Sequence, residues 1–493
     1  MIRNILTTLL ILIIFCIKAS AHIDIVYPTQ KELTINGDSV YISGNTTKNA
    51  KLEINSEPIR LWENNFFVHV VPLEYGTNKI KIESSHDGIT EKEILRIKRN
   101  KPIKTNKKYK EPEFIKNEDG VLYAKTIKDR ATVRNSYKTS SKRIIDLQKG
   151  IVLYLDGKQG EYYKIQESGD QELWIHKSNI SEPVKLSGRI KAKIKGQKQF
   201  NDELYDYHKF YLNYPVIYNF EQKENKLKLT LFGVEDKEKP LSKNYEYEYE
   251  FENPILGYEF YYEENVLVLK KAKFPENIDE ENPLKNINIF VDAGHGGGEK
   301  GTIGPSRILE KDINLDIANK LIKELEAAGA NISYSRNTDK QVGLYDRVDL
   351  AKNNNALISI SIHCNSLPYT KNPYKMHGTE THYYNENAKL LGEIIKYNLA
   401  NDLNIKDNGN RKSSFALNRS TNPVSILVEV AYMLNPEEYI LLRNETFREN
   451  VAKSIKKSLE EYILYLKNKK LWYNIFPAEY ITWRVLWKFA SYK

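Results

Sequence analysis

One stretch near the middle of the 493-residue chain, INIFVDAGHGGGEKGTIGPSRILE (residues 287–310), constrains the fold more than any other. Ile287, Ile289, Phe290, Val291 and Ala293 make a short apolar run that enters a glycine-rich turn carrying His295. A run of that length bounded by glycines predicts a buried strand with one imidazole on a tight loop at its carboxyl end. Beyond Glu310, the residues Ile313, Ile317, Leu321 and Leu325 recur every four positions, as on the buried face of a helix. Two later apolar runs also end on side chains that can do chemistry: residues 356–362 lead to His363, and residues 425–428 to Glu429. Open α/β sheets gather their ligand groups beyond the carboxyl ends of their strands, so four residues distant in the chain can meet there.

Two imidazoles and one carboxylate (His295, His363 and Glu310) are the ligand set of a catalytic zinc with an open fourth position. A second carboxylate, Glu429, suits a general base. A structural zinc is normally closed by four nearby ligands that include cysteine, and the groups here are dispersed and of nitrogen and oxygen type. The glycine loop lacks the GK[ST] ending of a phosphate loop, which weighs against anion binding.

The same residues carry a family resemblance. DAGHGG (292–297), EKD (310–312) opening a helix, SRNTD (335–339), SIHCN (361–365) and LVEVAY (427–432) occur in this order. Together they resemble the type 3 class of zinc-dependent N-acetylmuramoyl-L-alanine amidases, secreted cell-wall enzymes of bacteria. Cys364 stands where that family more often has alanine, and Ala431 where glycine usually follows the glutamate; neither is a ligand position. The resemblance implies a zinc held by His295, Glu310 and His363, with Glu429 as the base. It also implies hydrolysis of the amide joining N-acetylmuramic acid to L-alanine in peptidoglycan, for wall remodelling or daughter-cell separation. A zinc peptidase of other specificity and a catalytically inactive wall-binding protein are the alternatives.

The rest of the chain predicts several domains, since 493 residues exceed what one compact core holds. Residues 1–21 read as an export signal: Arg3, an apolar core over 5–17, and Ala19-Ser20-Ala21 as a cleavage site. The protein is accordingly expected in the periplasm or cell wall. Residues 22–100 alternate apolar and polar residues between turn signals and predict a β-sandwich similar to immunoglobulin-like modules. A basic linker spans 101–118, and residues 119–182 read as a bacterial SH3-like barrel with Tyr154, Tyr162, Tyr163 and Trp174 in its core or on a binding face. Residues 183–285 predict a further β-rich targeting module, in which Tyr245 to Phe251 place aromatic rings on one face and glutamates on the other.

Residues 286–466 alternate strands and helices, with helices over 311–328, 344–353, 387–403 and 436–466. That pattern predicts an α/β domain whose mainly parallel sheet is covered by helices on both faces. Residues 366–384 are short, with Pro368 and Pro373 disfavouring a helix, and residues 385–403 read as one core-facing helix without room for a separate segment that would plug the site, so the domain is expected to be active when isolated. Asp292 and Asn365 flank the expected ligands and suit a supporting shell. His377 and His382 are expected to be structural.

Two cysteines, one in the leader, leave Cys364 as a lone buried thiol without a disulfide partner. Two of the nine net positive charges lie in the leader, leaving +7, which favours an anionic partner such as a wall polymer or a membrane face. No nucleic-acid motif accompanies that charge, so nucleic acid ranks lowest among such partners and none is expected. The tail, residues 467–493, mixes aromatic rings with lysines and arginines and is compatible with contact at a membrane surface or with packing back onto the protein. The sequence does not specify an oligomeric state.

Overall fold

The computed structural model describes residues 21–102, 111–117, 120–166, 171–235, 244–251 and 255–472. Residues 1–20 of the signal segment, residues 103–110 and 118 of the linker and residues 473–493 of the tail lie outside the described residues. Among the described residues, no helix is long and apolar enough to cross a membrane.

Near the amino terminus, a three-stranded sheet (Ile23–Tyr27, Ser39–Thr46, Phe66–Pro72) faces a five-stranded one running from Glu32–Ile35 to Glu57–Ile59. Every second residue points inward, and Val40, Ile42, Leu52, Phe67, Ile80 and Leu95 fill the space between the sheets. Residues 114–186 form an eight-stranded sheet, and two further sheets occupy 194–272. One hydrophobic cluster runs from Ala124 to Leu269, so the segments read as separate modules, 119–182 and 183–285, share a core. Tyr154, Tyr162 and Trp174 are buried and belong to the packing rather than to an exposed binding face. In the strand Asn244–Glu250 the tyrosines pack on that core, while Glu246, Glu248 and Glu250 meet Lys226 and Lys228 across the solvent face.

The carboxyl-terminal part contains strands β1 (Asn288–Ala293), β2 (Asn331–Tyr334), β3 (Ile358–Asn365), β4 (Thr379–Tyr383), β5 (Asp407–Lys412) and β6 (Val424–Tyr432). Their order across the sheet is β2-β1-β3-β6-β4-β5, and only the β6–β4 pair is antiparallel. The helices are α1 (Glu310–Ala327), α2 (Leu344–Asn353), α3 (Glu386–Asp402), α4 (Pro436–Arg443) and α5 (Glu445–Trp472). Ile289, Val291, Ile358, Ile360, Ile362, Val424, Ile426 and Val428 share one core with apolar residues of α1, α3, α4 and α5. On the other side Phe290 packs with Ala351 of α2. On β1 and β3 that second face is otherwise polar, carrying Asp292, Ser359, Ser361 and His363 at alternate positions.

Four features differ from the sequence reading. The helix expected over 436–466 is two helices, because Asn444 adopts an extended conformation and its side chain accepts from Phe447 N–H at 3.0 Å, starting α5 afresh. Helix α5 then continues to Trp472, past the expected boundary at Leu466. Strand β5, DNGNRK, has no apolar residue to signal it and exists because it pairs with β4 at the edge of the sheet. Residues 286–466 are also not a self-contained surface: Phe66 and Val68 of the sandwich belong to the core of this domain, and Phe66 meets Tyr439 edge-on at 5.2 Å.

Candidate active site

The site forms where β1 and β3 leave the sheet and α1 begins. The chain turns at Gly294, where a Cβ would lie 2.3 Å from the His363 ring, so only glycine lets that imidazole lie across the turn. His295 follows with φ of 61°, a conformation a side-chain-bearing residue holds only when its surroundings impose it. Two fully buried arginines impose it. Arg347 of α2 donates to the His295 carbonyl at 2.6 Å and to the Ala293 carbonyl at 2.7 Å, and pairs with Asp292 at 2.6 Å. Arg336 donates to the carbonyls of Ala293, Gly294 and Lys311 at 2.8–2.9 Å. Asp339 completes the brace by accepting from Gly297 N–H at 2.8 Å and pairing with Lys311 at 2.5 Å. The SRNTD motif thus acts as scaffolding for the glycine loop.

Glu310, at the first turn of α1, is almost fully buried and stands between the two imidazoles. Its Oε1 lies 3.2 Å from His295 Nε2 and 3.2 Å from His363 Nδ1, and also accepts from Cys364 N–H at 3.3 Å. Its Oε2 accepts from Thr302 N–H at 2.8 Å. Burial pushes this carboxyl up, but the imidazole hydrogen bonds outweigh it and hold the group well below the usual carboxylate range. One ligand atom from each of His295, Glu310 and His363 lies within 4.8 Å of the others. Gly301 leaves room for this cluster, since a Cβ there would lie 2.6 Å from Glu310 Oε2.

Glu429 sits near the end of β6, in register with His363 on one side and Glu380 on the other. Burial, followed by the negative charges of Glu310 and Glu380, pushes its carboxyl well above the ordinary value. Two buried atoms in the cluster, His363 Nε2 and Glu429 Oε2, have no protein partner. Buried polar atoms are almost always paired, so the donor set and its two free atoms fit a cation with a bound water. The four side chains open onto a cleft of about 550 Å³ that is also lined by Tyr27, Leu344 and Phe415.

The sequence reading picked out all four of these residues, and the fold brings them together. Asp292 supports the site through Arg347 and Ser361 rather than by touching a ligand, and Asn365 bonds Glu380. His382 is buried between Ser413 and Glu380. Cys364 is buried, and burial first, with nearby carboxylates, holds its thiol protonated. Arg347, Glu380 and Tyr27 went unnoticed. Only Arg347 had a signal: it lies one turn from both Leu344 and Ala351, on the face of α2 expected to be apolar.

Glu438 of α4 links the segment before β4 to the end of β6, accepting from Gly378 N–H at 2.5 Å and Tyr432 N–H at 2.7 Å. Burial pushes its carboxyl up to about 7, against the pull of those two donors. A carboxyl raised in this way is favoured neutral, so its stabilising contribution is complete below about 4.5 and is lost as pH rises through about 7. Glu438→Gln cannot ionise. Relative to the unaltered protein it should gain on the order of 2–3 kcal/mol across that window, as read by urea unfolding at several pH values. A stability difference independent of pH would show that Glu438 titrates alike in both states.

Residues 289–461 match the protein family described as N-acetylmuramoyl-L-alanine amidase. The amidase LytC of Bacillus subtilis is 33% identical over 179 residues, covering 36% of this chain and 35% of LytC. The Bacillus subtilis protein YqiI is 31% identical over 184 residues, 36% of this chain and 86% of YqiI. Among solved structures, the amidase AmiC2 of Nostoc punctiforme is 32% identical, matches 36% of this chain and 97% of its own, and superposes with a TM-score of 0.35. The chain belongs to the N-acetylmuramoyl-L-alanine amidase family of the type 3 class. The family match lies in the carboxyl-terminal part of the chain, and the match to LytC spans about a third of that protein.

Proposed function

We propose that this chain hydrolyses the amide between the lactyl group of N-acetylmuramic acid and L-alanine in peptidoglycan, as an exported zinc enzyme acting at the cell wall. The observation that carries this reading is the convergence of His295, Glu310 and His363 within 4.8 Å at a cleft that also holds the buried carboxyl of Glu429. The three converging side chains would hold the zinc. When bound, it supplies a water acidified to near neutrality and a Lewis acid for the amide carbonyl.

Glu429 accepts the proton of the attacking water at its free Oε2 and then delivers it to the departing alanine nitrogen. Its buried position, with Glu310 and Glu380 nearby, raises its proton affinity and so suits it to the first transfer. Arg347 and Arg336 hold the His295 loop in place, so the ligand geometry is set before substrate arrives. Leu344 and Phe415, both substantially exposed in the cleft, offer apolar surface to the sugar rings or stem peptide. The SH3-like and neighbouring β modules carry the catalytic domain to the wall, and the basic aromatic tail adds contact with an anionic surface.

The test is digestion of purified peptidoglycan by the full chain, with and without a chelator, followed by mass spectrometry. Free stem peptides beginning with L-alanine should be released only without chelator. Fragments cut within the stem peptide would establish a peptidase instead, and intact wall under both conditions would leave a binding protein.

A further inference from the structure

We infer that Tyr27, a residue of the amino-terminal β-sandwich, is a substrate-binding residue of the catalytic cleft, so that the sandwich forms part of the active site. This rests on the amidase reading above.

The strand Ile23–Tyr27 should, by plain alternation, send Ile23, Ile25 and Tyr27 into the core of the sandwich. Ile23 and Ile25 do face that core, but Tyr27 does not. The pairing with Ser39–Thr46 slips between Ile25 and Tyr27: Ile25 faces Gly44, and Tyr27 faces Ser43. A bulge of this kind re-aims one side chain, and here it turns the Tyr27 ring out of the sandwich and against the catalytic domain. The ring is wedged between Tyr41 and Tyr369, with centroids 5.9 and 5.8 Å away. Tyr27 lines the same cleft as His295, Glu310, His363 and Glu429.

The surrounding contacts fix that placement. Both loops that carry metal-ligand candidates are tied to the sandwich. Ahead of Glu310, Ile303 N–H donates to the Tyr27 hydroxyl at 3.2 Å, and Arg307 grips the Asp24 carboxylate with Nε at 2.5 Å and with Nη2. After His363, the Tyr41 hydroxyl donates to the Leu367 carbonyl at 3.1 Å, Tyr41 N–H to the Tyr369 carbonyl at 3.0 Å, and the Tyr374 hydroxyl to the Val68 carbonyl at 2.6 Å. The Tyr27 oxygen thus accepts from Ile303, while its own proton has no acceptor among the described residues. A phenol held by its ring, with its acceptor side used and its donor side free in the cleft, is placed to donate to an acyl oxygen of the muramoyl peptide.

The test uses the full chain and soluble muropeptides released from peptidoglycan by a muramidase. Tyr27→Phe keeps the ring and removes only the hydroxyl. It should raise KM roughly threefold to tenfold, the scale of one neutral hydrogen bond, with kcat within about twofold. Zinc content should not change, and the melting temperature should fall by no more than the loss of the single Ile303 hydrogen bond allows. Tyr27→Ala should raise KM further; should it not fold, the phenylalanine variant decides alone. If Tyr27 merely props the Ile303 loop, the loss would fall on kcat or on zinc content, with KM unchanged, and either result overturns the assignment. Absence of amide hydrolysis by the unaltered chain would overturn the amidase reading and this assignment together. Hydrolysis with an unaltered KM in Tyr27→Phe overturns the assignment alone.

Discussion

Replacing Glu429 by glutamine is expected to lower amide turnover by about 10²- to 10⁴-fold while leaving the fold and the bound metal intact. The side chain keeps its size, so the packing around β6 does not change. What disappears is an oxygen able to take a proton: Oε2 has no protein partner, and in the variant that place is filled by an amide that cannot act as a base. The surroundings make the native group a good acceptor, because burial and the charges of Glu310 and Glu380 raise its affinity for a proton. Relieving that repulsion also means the variant should be no less stable than the unaltered chain. Release of stem peptides, metal content and melting temperature should be measured on the same preparation. Near-normal turnover with full metal content would remove Glu429 from the base role, leaving Glu380, its register partner on β4, as the next carboxylate to test.

How much of this was legible beforehand depends on what kind of signal each residue gives. His295, Glu310, His363 and Glu429 lie at the ends of apolar runs or at the start of a strongly periodic helix, so the local pattern marks both the element and the functional position. Strand β5 lacks such a pattern: DNGNRK is held by pairing with β4, a partner 28 residues earlier at Thr379. The split between α4 and α5 hangs on one residue, Asn444, whose capping bond to Phe447 interrupts an otherwise continuous helical periodicity. Arg347 and Glu380 act through partners far away in the chain, Asp292 and Arg411 among them, and charges within an amphipathic segment read by default as solvated. Tyr27 was the least visible. Its place in the cleft depends on a one-residue slip in strand pairing and on a contact between two domains, and neither leaves a trace in local sequence. The same contact changes the expectation that residues 286–466 would work alone, since that piece would lack Tyr27 and would expose the faces that Phe66 and Tyr41 cover.

Loss of zinc is the expected result of His363→Ala, and it should be more complete than for any change outside the ligand set. Removing a partner that only orients a ligand typically weakens metal binding about 10- to 100-fold, and a variant lacking the donor itself should exceed that. His363 is the better of the two imidazoles to test first. Its side chain is the more enclosed, at 15% exposure against 30% for His295, and Gly294 packs directly against its ring. Alanine there leaves a small cavity in the cleft wall rather than a strained loop, so the protein should still fold. His295→Ala carries an added ambiguity, because residue 295 sits at φ of 61° and any substitution also alters the strain of the glycine loop. Glu310→Gln separates charge from geometry: its Oε1 now bridges both imidazoles, and a neutral amide offers less to a dication at the same position. Elemental analysis after dialysis should find stoichiometric zinc in the unaltered chain and little in any of the three variants. Full occupancy in His363→Ala would take His363 out of the ligand set, and its buried Nε2 would then need a different partner from the one the cluster suggests.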